Sequence, residues 1–166
     1  MQNPDAEAKI RIIPIRNPNT NEIIIGQGNF TIKTIDDFYD VLFGSAQGIE
    51  FGVAMNEAKP RLVRATGNNE ELKKLAAETA LAIGAGHVFV IYLKNAFPIH
   101  VLNAIKQMPT VASVLVASSN PLEAVVAETS LGKALLGFVD GSAAEKIENE
   151  TERQGRKELV KKLGFL

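Results

Sequence analysis

The sequence predicts an α/β fold, a mixed sheet built from parallel strand-helix-strand units with flanking antiparallel hairpins, and three observations predict it. Short β-branched runs at 61–66, 87–93 and 110–117 are separated by two helical patterns, the arrangement of successive parallel strands joined by right-handed crossovers. Paired apolar runs on either side of these units, each closed by a polar turn, read as hairpins. The length, 166 residues, fits one compact domain, which at this size buries roughly 70% of its unfolded surface. Hydrophobic residues make up 46% of the chain but aromatics only 6%, so aliphatic packing must fill the interior.

Residues 8–16 alternate basic and aliphatic positions, which predicts a half-buried strand, and Pro14 places it at a sheet edge. The asparagine-rich turn at 17–21 and a second strand at 22–25 make an edge hairpin with it. Thr34 is the expected cap of a helix over 35–43, with Asp36 and Asp37 at its positive end and Gly44 as its stop. A hairpin follows, 49–55 against 61–66, through the charged loop 56–60. Asn68 should cap the helix 69–83, in which Leu72, Leu75, Ala76, Thr79, Ala80 and Ile83 recur at three- and four-residue spacing. Pro98 opens a helix to about residue 107, and His100 falls on its polar side with Asn103 and Gln107. Residues 122–128 and 134–140 form a last antiparallel pair. From 142 to 166 the chain is a charged, mostly exposed helical tail, with Leu159, Val160, Leu163 and Phe165 as its apolar contacts.

Several function classes are disfavoured by composition. Eighteen basic against 19 acidic residues give a formal charge of −1, so there is no field to attract nucleic acid or anionic lipid. Cysteine is absent, which excludes thiolate chemistry and thiolate metal sites and fits a cytoplasmic protein, and the first residues carry no signal-peptide pattern. No stretch is apolar enough over roughly 18 residues to span a membrane. The segment ending Ser130-Leu131-Gly132-Lys133-Ala134 is not a P-loop, because Ala134 stands where magnesium needs a hydroxyl, and two distant histidines make no zinc site.

The chemistry-bearing position is His87, which follows Gly84-Ala85-Gly86 and precedes an apolar run. An imidazole on such a hinge can be approached closely and can serve as base, metal ligand or phosphoryl acceptor, or it can simply close a strand end. The predicted topology brings Glu57, Lys59, Arg61, Glu128 and Lys133 to the rim that carries His87, a cation-rich set suited to phosphate or proton transfer. The same gathering also reads as a solvated sheet edge. Asn95 and Asn120 fall at the opposite rim, roughly 20 Å away at about 3.3 Å per residue.

Six short strings occur in the order Phe51-Gly52 to Glu57-Ala58, Arg61-Leu62-Val63-Arg64, Gly84-Ala85-Gly86-His87, Asn95-Ala96-Phe97-Pro98, Asn120-Pro121 and Leu136-Gly137-Phe138-Val139-Asp140-Gly141. Together they resemble the adenosine-specific kinase family over residues 8 to 141. The resemblance implies an α/β fold, binding of adenosine and AMP rather than ADP or ATP, and a histidine that carries a phosphoryl group, which on this chain is His87. It implies no particular cofactor, and the phosphate donor stays open because no triphosphate and magnesium apparatus is present. Around His87, the topology makes Lys59, Arg61 and Lys133 candidates for balancing phosphoryl oxygens, and Glu57 or Glu128 for orienting the ring or holding ribose hydroxyls. Asn95 and Asn120 are candidates for reading adenine from a neighbouring subunit, which makes a homo-oligomer the expected state. A non-catalytic adenosine or AMP sensor and an oligomeric structural protein are the alternative readings.

Overall fold

Ile23, Ile24 and Ile25 form an uninterrupted aliphatic run, and a strand with that pattern can only be stable where both of its faces are covered. In a computed structural model of the protein, which describes residues 7–164, all three are fully buried. They lie in the middle of a five-stranded sheet. In chain order the elements are β1 (Lys9–Ile15), β2 (Glu22–Gly28), α1 (Thr34–Phe43), β3 (Glu50–Asn56), β4 (Val63–Gly67), α2 (Glu70–Ile83), β5 (Val88–Lys94), α3 (Pro98–Gln107), β6 (Val111–Ser118), β7 (Leu122–Glu128), β8 (Lys133–Asp140) and α4 (Glu150–Lys162). The large sheet has the order β4-β3-β5-β2-β6, and a second sheet has the order β1-β7-β8.

Every strand pair in both sheets is antiparallel, which corrects the expected mixed sheet with parallel strand-helix-strand units. The helices α2 and α3 do return the chain so that β4, β5 and β6 run in one direction. However, β3 is inserted between β4 and β5, and β2 between β5 and β6, so no two of the three are neighbours. The expected edge hairpin of 8–16 with 22–25 is also overturned. β2, apolar on both sides, is taken into the centre of the large sheet, whereas β1, half-polar, pairs with β7. The hairpins β3–β4 and β7–β8 form as expected.

Two apolar clusters cover the two faces of the large sheet. On one side α1 and α3 pack through Phe38, Leu42, Val101 and Ile105 onto Phe51, Phe89 and Ile91. On the other side α2, through Leu72, Leu75, Ala76, Ala80 and Ile83, shares its core with Ile15, Leu122, Ala124 and Val126 of the small sheet. Tyr92 ties this second layer together, because its hydroxyl donates to the Arg16 carbonyl at 2.6 Å and lies 2.9 Å from the Thr79 hydroxyl. Burial first, with the Thr79 hydrogen bond opposing it, raises the phenol's pKa and so keeps the ring neutral.

Local chemistry explains the element ends. Asn69, not Asn68, caps α2 by accepting the Leu72 N–H, while Asn68 accepts the Phe51 N–H and donates to the Ile49 carbonyl. Thr34 is the first residue of α1 rather than its cap, and its hydroxyl accepts the Thr31 N–H. His100 is exposed as expected, and its Nδ1 accepts the Phe97 N–H at the start of α3. α4 opens with a capping box between Asn149 and Glu152 and buries none of its residues. Leu159 and Leu163 remain largely exposed, and Phe165 lies outside the described residues. No helix among the described residues is long and apolar enough to cross a membrane.

β3 and α2 meet at Gly52, where a Cβ would stand 2.1 Å from the Lys73 nitrogen and 2.2 Å from the Leu72 carbonyl carbon. Backbone on both sides leaves no room for relaxation. Gly52→Ala should therefore cost about 3 kcal/mol or more in urea unfolding, by overpacking, whereas Gly155→Ala, in open space on α4, should leave stability unchanged or slightly raised.

Candidate functional site

Three connections converge at one end of the two sheets: the loop between β3 and β4, the turn from α2 to β5, and the tip of the β7–β8 hairpin. The registers require this, since Asn56 pairs with Val63, Met55 with Phe89, and Glu128 with Lys133. Between them lies a cleft of about 790 Å³ whose lining includes Asn56, Glu57, Arg61, Leu81, Leu131 and Lys133.

The turn into β5 is shaped by glycine and by His87. Gly84 ends α2 in the left-handed conformation at φ 67°, a normal helix stop. His87 has φ 59°, which is unusual for a residue with a side chain, though histidine tolerates it better than most. Hydrogen bonds hold it there from both sides, its N–H donating to the Asn56 carbonyl at 3.0 Å and its carbonyl accepting the Gly28 N–H at 2.9 Å. The imidazole is half-buried, with its centroid 5.7 Å from that of Phe30. Phe30 packs against the cluster of α1 and α3, so the ring leans toward that face, while the cleft opens on the α2 face and its lining reaches Gly86. Among the described residues, neither ring nitrogen has a hydrogen-bond partner.

Of the charged residues expected beside His87, the structure brings Glu57, Arg61 and Lys133 to the cleft, with Glu128 just behind. Lys133 lies 3.4 Å from Glu128, and its side chain runs across the bare Cα of Gly84, placing a cation at the carbonyl end of α2. Glu57, with its side chain only 11% exposed, accepts from Arg64 Nε at 2.8 Å. Arg61 has no ion-pair partner among the described residues. The cleft region therefore holds two satisfied carboxylates and one cation free to meet an added negative charge. Lys59 is exposed on the same loop and does not line the cleft.

Asn95 and Asn120 lie at the far end, about seven residues of strand or roughly 20 Å away. Asn95, at φ 59°, donates to Glu50, and Asn120 donates to Asp140 beside a second, shallower depression. Within one chain they do not join His87. Sequence reasoning missed Asn56 and the leucines 62, 81 and 131 at the cleft, and Arg64 as the partner of Glu57. The sequence puts Asn56 in the charged loop 56–60, whereas the structure makes it the last residue of β3, with its side chain at the end of α2.

Comparison with known proteins sets this geometry in context. The family model described as "Adenosine specific kinase" matches residues 13–166, nearly the whole chain. The chain belongs to the adenosine-specific kinase family. Among solved structures, the crystal structure of the PH1918 protein from Pyrococcus horikoshii OT3 is 54% identical, with 96% of this chain and 99% of that chain covered and a TM-score of 0.94. A search of curated proteins returned no match.

Glu128 is the group here whose ionisation its neighbours bias. The Arg11 hydrogen bond first, then Lys133, against opposing desolvation, holds its carboxyl below the usual range. A depressed carboxylate pKa contributes stability that is present above the unfolded value and is lost as pH falls through the folded one. Urea midpoints measured between about pH 3 and 7 should decline at the acid end more steeply for the native protein than for Glu128→Gln.

Proposed function

We propose that this protein binds adenosine or AMP at the cleft end and transfers a phosphoryl group through His87. The observation that carries the reading is the half-buried imidazole, held on a left-handed backbone one residue from the cleft, where, among the described residues, the ring has no hydrogen bond and Arg61 of the lining has no ion-pair partner. Family membership supports adenosine as the substrate. One spare positive charge suits a nucleoside or its monophosphate far better than a triphosphate.

In the proposed reaction, a lone pair of neutral imidazole attacks phosphorus, forming an N–P bond as the donor's P–O bond breaks and its electrons leave with the donor oxygen. A ribose hydroxyl then attacks the phosphorus. The O–P bond forms, the N–P bond breaks and the released imidazole nitrogen takes the hydroxyl proton. Arg61 and Lys133, with Lys59 on the neighbouring loop, balance the phosphoryl oxygens, and Glu57 or Glu128 holds the ribose. The absence of cysteine fits a cytoplasmic place of action.

A second copy of the chain is part of this proposal. The outer face of the small sheet presents Ile10, Ile12, Leu136 and Val139, all 45% or more exposed, where a solvated face would be polar. A homo-oligomer closing over that face is also the route by which Asn95 and Asn120 of a neighbour could approach the cleft. A second reading, a sensor that binds the nucleoside without chemistry, is favoured by the tilt of the His87 ring toward Phe30.

Adenosine or AMP at about a hundred times its Kd should stabilise the native protein by about 2.7 kcal/mol and raise its melting temperature by several degrees. Incubation with labelled phosphoryl donors should place acid-labile label on the native protein and none on His87→Asn, a replacement that tolerates the left-handed backbone. Label persisting on the variant overturns the carrier role, ligand stabilisation without label in either protein selects the sensor, and no stabilisation removes nucleoside binding.

A further inference from the structure

Asn56 is 93% shielded from solvent, its relative exposure being 7%, and it lines the cleft. Its Nδ2 donates to the Ala80 carbonyl at 2.8 Å and to the Ala85 carbonyl at 2.9 Å, which uses both amide hydrogens and fixes which end of the group is oxygen. Oδ1 has no partner. A buried acceptor left unpaired costs about 1–3 kcal/mol, so such an atom at a cleft is a candidate for a donor brought by a ligand. The surroundings narrow the class of ligand. Leu62, Leu81 and Leu131, which are 49, 69 and 98% exposed, stand around the cleft with no apolar partner sufficient to cover them. Three uncovered leucines suit the faces of a flat, uncharged ring. Arg61 supplies a charge at the same cleft for an anionic substituent.

We infer that Asn56 is the residue that reads the base: its Oδ1 accepts an N–H of the exocyclic amino group of a 6-aminopurine whose ring is held among Leu62, Leu81 and Leu131. This rests on the reading that the cleft binds adenosine or AMP and assigns that selectivity to an atom. Oδ1 is shielded from bulk water in the unliganded chain although Asn56 lines the cleft, so the amino group meets it only as the lining beside Asn56 gives way. The acceptor's position is set by two main-chain carbonyls at the end of α2 rather than by a mobile side chain. The discrimination is therefore one of unpaired buried polarity: a purine without the amino group leaves Oδ1 as orphaned as before.

The decisive comparison is between ligands on the native protein. Titration calorimetry with adenosine and with purine riboside, which differs only in lacking the amino group, should show adenosine binding about tenfold or more tightly. In Asn56→Ala the ratio should collapse to within about twofold, whatever happens to the two affinities separately. Leu131→Ser, at an exposed hairpin tip, should fold normally and weaken both ligands alike with the ratio intact. Equal binding of the two nucleosides by the native protein overturns the assignment and leaves Oδ1 to a buried water. A ratio that survives in Asn56→Ala places the amino-group contact elsewhere. Should adenosine fail to bind the native protein at all, it is the nucleoside-binding reading that falls. Should Asn56→Ala fail to fold, the native ratio and its persistence in Leu131→Ser still test the base seat.

Discussion

The structure depends on the burial of one strand on both faces. Ile23, Ile24 and Ile25 alternate sides along β2, so each layer of the molecule must supply apolar cover for at least one of them. Ile24 needs the layer of α1 and α3, and Ile23 and Ile25 need the layer of α2 and the small sheet. Putting β2 between β5 and β6 also separates strands that would otherwise be parallel neighbours. Its glycines extend the same constraint, since a Cβ at Gly26 would stand 2.2 Å from the Ser113 carbonyl oxygen and 2.5 Å from the Phe89 ring. The strand therefore narrows where β6 bulges against it.

That placement also governs the end that carries the cleft. β2 finishes at Gly28, whose N–H holds the carbonyl of His87, while β3 finishes at Asn56, whose carbonyl holds the His87 N–H. The histidine is thus gripped between the ends of two strands that come from separate parts of the chain. Lys133 reaches the same region from the small sheet and settles over the terminus of α2. Helix end, hairpin tip and strand ends are mutually braced, which is the rigidity a binding cleft needs if its polar groups are to be pre-arranged.

How much of this was legible in the sequence follows from the range of each signal. The helix 70–83 and the hairpin of 122–128 with 133–140 are visible because spacing and turn residues are local. That Glu57 shares a hairpin tip with Arg61, and Glu128 with Lys133, follows from each hairpin alone, whereas the meeting of the two tips depends on how the sheets pack. The partner of β2 is different in kind: adjacency in sequence favours β1, but the demand for two-sided cover decides, and that depends on the whole layer arrangement. The helix return of β4, β5 and β6 was readable as direction but not as adjacency, for the same reason. At the site, the tilt of His87 toward Phe30 and the service of Asn56 to Ala80 and Ala85 turn on which face each side chain meets, which no local pattern states.

The grip on His87 works entirely through main-chain amides, so the loop's course owes nothing to the imidazole itself. Any residue content with a left-handed backbone would trace the same path between the same two strands. Side chain and architecture are therefore separable at this position: asparagine or glycine in place of the histidine would keep both main-chain hydrogen bonds and the course of the loop between the two strands.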